Sequence, residues 1–301
     1  MMPGISILEA PSALGHVPEH RGVEKAPARL IEEGIADGLG AVPAGRVEAP
    51  GYSAARDPQT KMMNVEPLVE YSSRLADAVG EIVDAERFAL VLGGDCSILL
   101  GTMLGLRRRG RYGLLYIDGH ADYWQPERNT IDGAASASDL AFATGRGPAI
   151  LTELEGQAPV VEPRDVVVFG NRDRAERAEG GCQPLPEEMG VIARDRVRTL
   201  GVDAAMAEAL ALLQRRGEEE LDGIWVHVDA DVLDGAIMSA VDDPSPDGLI
   251  WGELAAALGM AIGSGLAVGL QITIYNPDFD ESGANGRGLA TTVNTVLSEF
   301  T

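Results

Sequence analysis

Short apolar runs alternate with longer stretches of helical period along this chain. Ile5–Leu8, Phe88–Leu92, Gly113–Ile117, Val166–Phe169, Ile224–Val228 and Ala267–Ile274 are each apolar over most of their length, as expected of strands buried on both faces. Beside them, apolar residues recur at three- and four-residue steps over Ala26–Asp37, Glu66–Glu86, Ser97–Arg109, Val202–Arg216, Trp251–Ser264 and Arg287–Ser298, which predicts helices. Strands alternating with helices imply an α/β fold with a parallel sheet covered on both sides. No fixed-period repeat and no low-complexity linker interrupts the pattern, so residues 1–301 are read as one domain.

Composition narrows the partners. The 301 residues, 45% hydrophobic, suffice for one sizeable core. Against 47 acidic side chains stand 24 basic ones, a net charge of −23. Such a field repels nucleic acid and anionic membranes and suits cations and small neutral or cationic molecules; it also serves solubility. Two cysteines, Cys96 and Cys182, and a start without a basic segment or a long apolar one, point to a reduced, cytoplasmic protein. No stretch approaches the roughly 20 apolar residues that span a bilayer.

In open parallel sheets ligands bind beyond the carboxyl ends of the strands, and three of the predicted strands run into polar clusters. Phe88–Leu92 leads to Gly93-Gly94-Asp95-Cys96-Ser97, Gly113–Ile117 to Asp118-Gly-His120-Ala-Asp122, and Ile224–Val228 to Asp229-Ala-Asp231-Val-Leu-Asp234. A spacing of two at a strand end turns side chains to one side. Four carboxylates and an imidazole then converge, and like charges so close are strongly unfavourable without a counter-ion. One or two divalent cations remove the repulsion, and a carboxylate-rich set with a nitrogen ligand suits Mn²⁺, Zn²⁺ or Fe²⁺. Asp229 and Asp231 alone could merely cap the turn that follows; the second cluster on another strand decides for metal.

These motifs resemble those of the arginase (ureohydrolase) superfamily, over nearly the whole chain. Gly22-Val-Glu-Lys-Ala-Pro27 is similar to the segment after the family's first strand, and Val91-Leu-Gly-Gly-Asp-Cys-Ser97 to its GGDHS motif. Asp118-Gly-His-Ala-Asp122 resembles its DAHxD motif, His227-Val-Asp-Ala-Asp-Val-Leu-Asp234 its SxDxDxxDP motif, and Tyr275-Asn-Pro277 its EVNP segment. The resemblance implies a three-layer α/β/α sandwich around a mostly parallel sheet. It also implies two bridged Mn²⁺ ions and hydrolysis of a C–N bond in a guanidino-, amidino- or formimino-like small molecule by a metal-bridging hydroxide. By position, Cys96, Asp118, Asp122 and Asp229 would hold one ion and His120, Asp118, Asp229 and Asp231 the other. Asp122 would in addition accept a proton from the bridging water and pass it to the leaving amine. A homo-oligomer, trimer or hexamer, is implied as well.

Three departures from the family pattern bear on substrate and metal. Cys96 stands in place of a histidine ligand; its thiolate would turn the site toward Zn²⁺ or Fe²⁺, while as a thiol it is a small buried hydrophobe. Ile274 occupies the position of the glutamate that pairs with guanidinium, which argues against plain arginine; Thr273, Tyr275 and Asn276 are the nearby polar groups, with Asn276 on the face of Ile274 if the strand alternates. The loop Asp132-Gly-Ala-Ala-Ser-Ala-Ser-Asp139 lacks the family's proton-shuttling histidine; Ser136 falls near its place but is no comparable acid, and Asp139 either faces the site or caps a helix beginning at Leu140. His227 either supports the site or is a satisfied core histidine. His16 and His20 are loop residues, and Arg172 and Asp173 resemble a segment near substrate and subunit contacts. Two other readings stay open: a mononuclear zinc amidohydrolase resembling deacetylases, and a catalytically degenerate binding protein.

Overall fold

A computed structural model of the chain describes residues 3–126, 133–215 and 220–301. Asp132 and Arg216 of the predicted segments lie outside these. The strands are β1 (Ile5–Ala10), β2 (Val42–Arg46), β3 (Phe88–Gly93), β4 (Tyr112–Ile117), β5 (Val166–Phe169), β6 (Gly190–Ile192), β7 (Gly223–Asp229) and β8 (Ala267–Thr273). The helices are α1 (Ala26–Glu32), α2 (Val65–Asp84), α3 (Leu99–Arg107), α4 (Asp139–Ala143), α5 (Ala149–Thr152), α6 (Arg174–Gly180), α7 (Arg194–Leu200), α8 (Val202–Arg215), α9 (Trp251–Gly263) and α10 (Ala284–Ser298).

The strands form one sheet in the order β2-β1-β3-β8-β7-β4-β5-β6, and every pairing is parallel. Period-two alternation sorts each central strand onto both faces. Phe88, Leu90 and Leu92 of β3 join Ile224, Val226 and Val228 of β7 in a core under α1, α8, α9 and α10. Ala89, Val91 and Trp225 face the opposite way, into a core with Leu68, Leu75 and Val79 of α2 and Leu100, Met103 and Leu104 of α3. Two helical layers thus cover the sheet, the α/β/α sandwich expected. No helix among the described residues is long and apolar enough to cross a membrane.

Two strands and several helices differ from the sequence expectation. β2 is exposed along its whole length and contains Pro43 and Gly45, so its sequence carries no apolar run. It is an edge strand, where proline is tolerated. β6, the other edge, has three residues. The first helix ends at Glu32 rather than Asp37, because Gly34 and Ala36 turn left-handed, with φ of 81° and 62°. The segment from Ser97 opens with a tight 3-10 turn, Cys96–Ile98, before α3 begins. α4 begins at Asp139, one residue before the helix expected from Leu140, while α5 to α7 are short and carry no periodic signal.

Candidate metal centre

The central strands β3, β8, β7 and β4 are neighbours, so their carboxyl ends bring the polar clusters together. Beyond the end of β3 the chain keeps its parallel neighbours close. Ile274 N donates to Gly94 O at 2.8 Å and Asp95 N to Ser12 O at 2.9 Å. A Cβ on Gly94 would stand 1.9 Å from Ser12 O, so only glycine lets the two backbones meet. Asp95 does not point at the cluster: it accepts from Ser97 N at 2.9 Å and from Ser12 Oγ at 2.9 Å, which fixes the turn that carries Cys96.

Two groups of donor atoms form at these strand ends, each within 4.8 Å: Cys96, Asp118, His227 and Asp229 in one, Asp118, His120 and Asp231 in the other; a third, His16, His20 and Asp242, gathers from the loops. Asp118 belongs to the first two. Cys96 Sγ donates to Asp229 Oδ2 at 2.8 Å and lies 3.8 Å from His227 Nε2. In the second group His120 Nδ1 is 2.9 Å from Asp231 Oδ2, while His120 Nε2 is 3.4 Å from Asp243 Oδ2. The turns are held by the carboxylates themselves: Asp118 Oδ1 accepts from His120 N at 2.6 Å and Asp229 Oδ1 from Asp231 N at 2.7 Å.

Burial makes this arrangement expensive without a cation. Asp118 is fully buried, and its Oδ2 has no hydrogen bond among the described residues; His227 Nε2 stands 3.7 Å away. Burial first, then the neighbouring carboxylates, push Asp118 above the usual carboxylate range and Asp122 and Asp229 well above it. Cys96 is pushed up by burial and by Asp229. Burial opposes the charged forms of His120 and Asp231 too, but each outweighs it for the other, so His120 is raised and Asp231 lowered. Acidic oxygens, an imidazole and a thiol this close, one carboxylate oxygen orphaned, fit a divalent cation centre.

Asp122 lines the same cleft but belongs to none of these donor groups. Its φ of 41° is left-handed, and its Oδ2 lies 3.0 Å from Tyr116 Oη, which is also 3.0 Å from Asp139 Oδ1. One hydroxyl hydrogen can serve only one of the two carboxyls. Burial pushes both well up. Asp139 is the first residue of α4 and lies behind Tyr116.

His227 is fully buried in a row across three strands. Tyr116 stacks on it at 4.3 Å, and Gln271 Nε2 reaches its Nδ1 at 2.6 Å. Gln271 Oε1 is held in turn by Thr102 Oγ1 at 2.7 Å and Trp225 Nε1 at 2.8 Å. Nδ1 therefore accepts from the amide and Nε2 is turned toward Cys96 and Asp118. Tyr116 and Gln271 carried a sequence signal not used: each is a polar residue inside an apolar strand, in register with His227.

Other expected residues fall around a cleft of about 110 Å³, lined by the cluster with His16, Ser136, Asp173, Asp242 and Ile274. Asp173 accepts from Ala121 N at 2.8 Å and pairs with Arg177 Nε at 3.0 Å, so it braces the loop that carries His120 and Asp122. Arg172 donates to Asp231 O at 2.8 Å. Asn276 is not among the lining residues; its Oδ1 accepts from Asp278 N at 3.1 Å and its Nδ2 reaches Arg21 O at 3.5 Å. The strand alternation expected through Ile274 fails because that residue is left-handed, with φ 66°. Thr273, expected to face away, instead lies 3.2 Å from Cys96 Sγ. Both cysteines are free.

Comparison with known proteins agrees with this geometry. A model of the arginase family matches residues 4–298. Arginase from Bacillus caldovelox is 29% identical over 293 residues, 93% of each chain. Its native structure at pH 5.6 gives a TM-score of 0.85 at 26% identity, covering 98% of both chains. Formimidoylglutamase from Bacillus subtilis shares the fold, with a TM-score of 0.74 at 19% identity, over 99% of this chain and 87% of that one. The chain belongs to the arginase family and is a ureohydrolase-type enzyme, a hydrolase of C–N bonds.

Proposed function

We propose that this protein uses two divalent cations to hydrolyse a guanidino-, amidino- or formimino-like C–N bond in a small molecule other than plain arginine. The observation that carries the proposal is the pair of donor groups sharing Asp118. One ion would lie among Cys96, Asp118 and Asp229, with Asp122 completing the set; His227, whose Nδ1 accepts from Gln271, turns Nε2–H toward Asp118 and Cys96 and would brace these ligands. The other would lie among Asp118, His120, Asp229 and Asp231. Carboxylates dominate the donors, which suits Mn²⁺, while a Cys96 thiolate would favour Zn²⁺ or Fe²⁺. When bound, such ions lower the pKa of water toward neutrality and polarise the bond to be cleaved.

The chain's own residues supply the rest. Asp122 is fixed by Tyr116 through Oδ2 and raised well above the usual carboxylate range by burial and Asp118. It is the carboxyl placed to take a proton during turnover. Asp173 and Arg172 hold the loops that aim His120 and Asp231.

Substrate choice turns on Ile274, which lines the cleft with its apolar side chain. Of the lining carboxylates outside the cluster, Asp242 and Asp243 are engaged, by His16 at 2.8 Å and by His120 at 3.4 Å, and Asp173 by Arg177 at 3.0 Å, while Glu176 on α6 is exposed and away from Ile274's strand. A guanidinium there would be desolvated beside an alkyl group, at a cost of several kcal/mol. Assay of the metal-loaded protein on arginine, hydroxyguanidines, amidines and formimino compounds tests this. Arginine is expected to show kcat/KM at least about 10²-fold below the best substrate, as roughly 3 kcal/mol implies. Arginine as the preferred substrate would overturn the specificity while leaving the metal centre standing.

A further inference from the structure

A second constellation of titratable groups shares the cleft apart from the two groups that meet at Asp118: His16, His20 and Asp242 gather their donor atoms within 4.8 Å, with His20 Nδ1 3.9 Å from Asp242 Oδ2. His16 Nε2 lies 2.8 Å from Asp242 Oδ2, and His16 Nδ1 lies 3.3 Å from Ser136 Oγ. The three residues come from three separate loops: the one after β1, the one before α4 and the one between β7 and α9. Side-chain exposure is 6% for His16 and 11% for Asp242. The contact between them is short but bent, so neither His16 Nε2 nor either Asp242 oxygen has a well-directed hydrogen bond among the described residues. A histidine buried against a carboxylate is costly to maintain for packing alone.

Breaking a C–N bond requires a proton on the departing nitrogen. The carboxylates around Asp118 are the expected cation ligands. We propose that Asp242, His16 and Ser136 form the proton-delivery arm of this site, with Ser136 as the residue that touches the leaving nitrogen. This relay takes the place of the delivery through Asp122 that the family resemblance implies, leaving Asp122 to take the proton of the attacking water. The inference rests on the hydrolase reading above. In the resting arrangement Ser136 Oγ donates to Gly15 O at 3.0 Å. In turnover the hydroxyl swings to the substrate and its hydrogen passes to the leaving nitrogen as the C–N bond breaks. Nδ1–H of the imidazolium replaces it, so serine ends unchanged and His16 ends neutral. His16 regains its proton from water at the cleft mouth, and Asp242 stays a carboxylate throughout.

The charges facing His16 favour the required state. Burial acts to lower its pKa, but the charge of Asp242 in close contact, with Asp95 and Glu24 farther off, more than offsets this and raises it. His20, whose ring is 6.1 Å away, is the other titratable group beside it. Asp242 is a positioning residue, holding the ring charged and oriented.

The test uses the metal-loaded protein and whichever substrate it turns over. Ser136→Ala and His16→Gln are each expected to lower kcat about 10²-fold, with KM, circular dichroism and bound metal unchanged. The double variant should lose little beyond either single one, because the two act as a unit. In wild type the alkaline limb of the kcat profile reports His16; Asp242→Asn should move that limb to lower pH and His16→Gln should abolish it. Unchanged kcat in the single variants overturns the proposal, as do losses that multiply in the double variant. A kcat loss that follows metal loss also overturns it, showing that the residues serve the cations. Failure of wild type to hydrolyse any compound overturns the hydrolase reading itself, and the arm with it.

Discussion

Asp229→Asn is expected to lower kcat/KM by at least about 10³-fold and to deplete bound metal while the fold is retained. The asparagine keeps an oxygen where Asp229 Oδ1 accepts from Asp231 N at 2.7 Å, so the turn after β7 survives. What disappears is the negative charge beside Cys96 and Asp231. A cation ligand contributes several kcal/mol of charge stabilisation, and about 4 kcal/mol corresponds to about 10³ in rate. Steady-state kinetics alongside metal analysis of the variant checks this. A variant that keeps full metal and activity would show that Asp229 only caps its turn, the role any strand-end aspartate can play.

Chelating the metal should lower the melting temperature, and by more at pH 8 than at pH 5. A ligand present at 100 times its Kd stabilises by about 2.7 kcal/mol, which for a chain of this size is roughly 5 °C or more per ion. The pH trend follows from the raised groups. Asp122 and Asp229 are held well above the usual carboxylate range by burial and by Asp118 and Asp231 respectively. A folded pKa above the unfolded one contributes stability that is complete below the unfolded value, about 4, and is lost as pH rises through the folded value. Asp231, Asp234 and Asp243 are lowered and act in the opposite sense, but only below about pH 4. Between pH 5 and 8 the metal-free protein therefore weakens as pH rises. The loaded protein does not, because cations compensate the ionised carboxylates and bind more tightly as ligands deprotonate. Scanning calorimetry with and without chelator would show the gap widening with pH; parallel curves would contradict the cation role.

Much of this was legible in the sequence because central strands advertise themselves. Val166–Phe169 matches β5 to the residue, since a strand covered on both faces is apolar at every position. The edges were silent for the same reason: β2 has no buried side to encode. At the site, the spacing of Asp118, His120, Asp229 and Asp231 was enough to bring them together. Backbone conformation was not readable. Left-handed Ile274 defeats strand alternation beyond β8, which is why Asn276 turns to Asp278, while Thr273, still inside β8, faces Cys96 on the side of Gln271. Nor was pairing across distant loops: nothing local in His16 announces Asp242 or Ser136. His227 was ambiguous until its partner Gln271 on the adjacent strand showed which nitrogen faces the cluster.

The departures from the family pattern concern recognition more than the donor set. Cys96 keeps a metal-competent atom at its position, and His227 brings an imidazole to the same group. Ile274, in contrast, removes a charge without replacing it on the same strand. On the proposed reading, the site is a retained hydrolytic centre facing an altered substrate.

The most direct test is to count metal. Purified protein loaded separately with Mn²⁺, Zn²⁺ and Fe²⁺ and freed of excess should retain about two equivalents per chain of at least one of them, falling in Asp118→Ala, since Asp118 is common to both donor groups. Retention of no metal under any loading, or full retention in the Asp118 variant, would contradict the account.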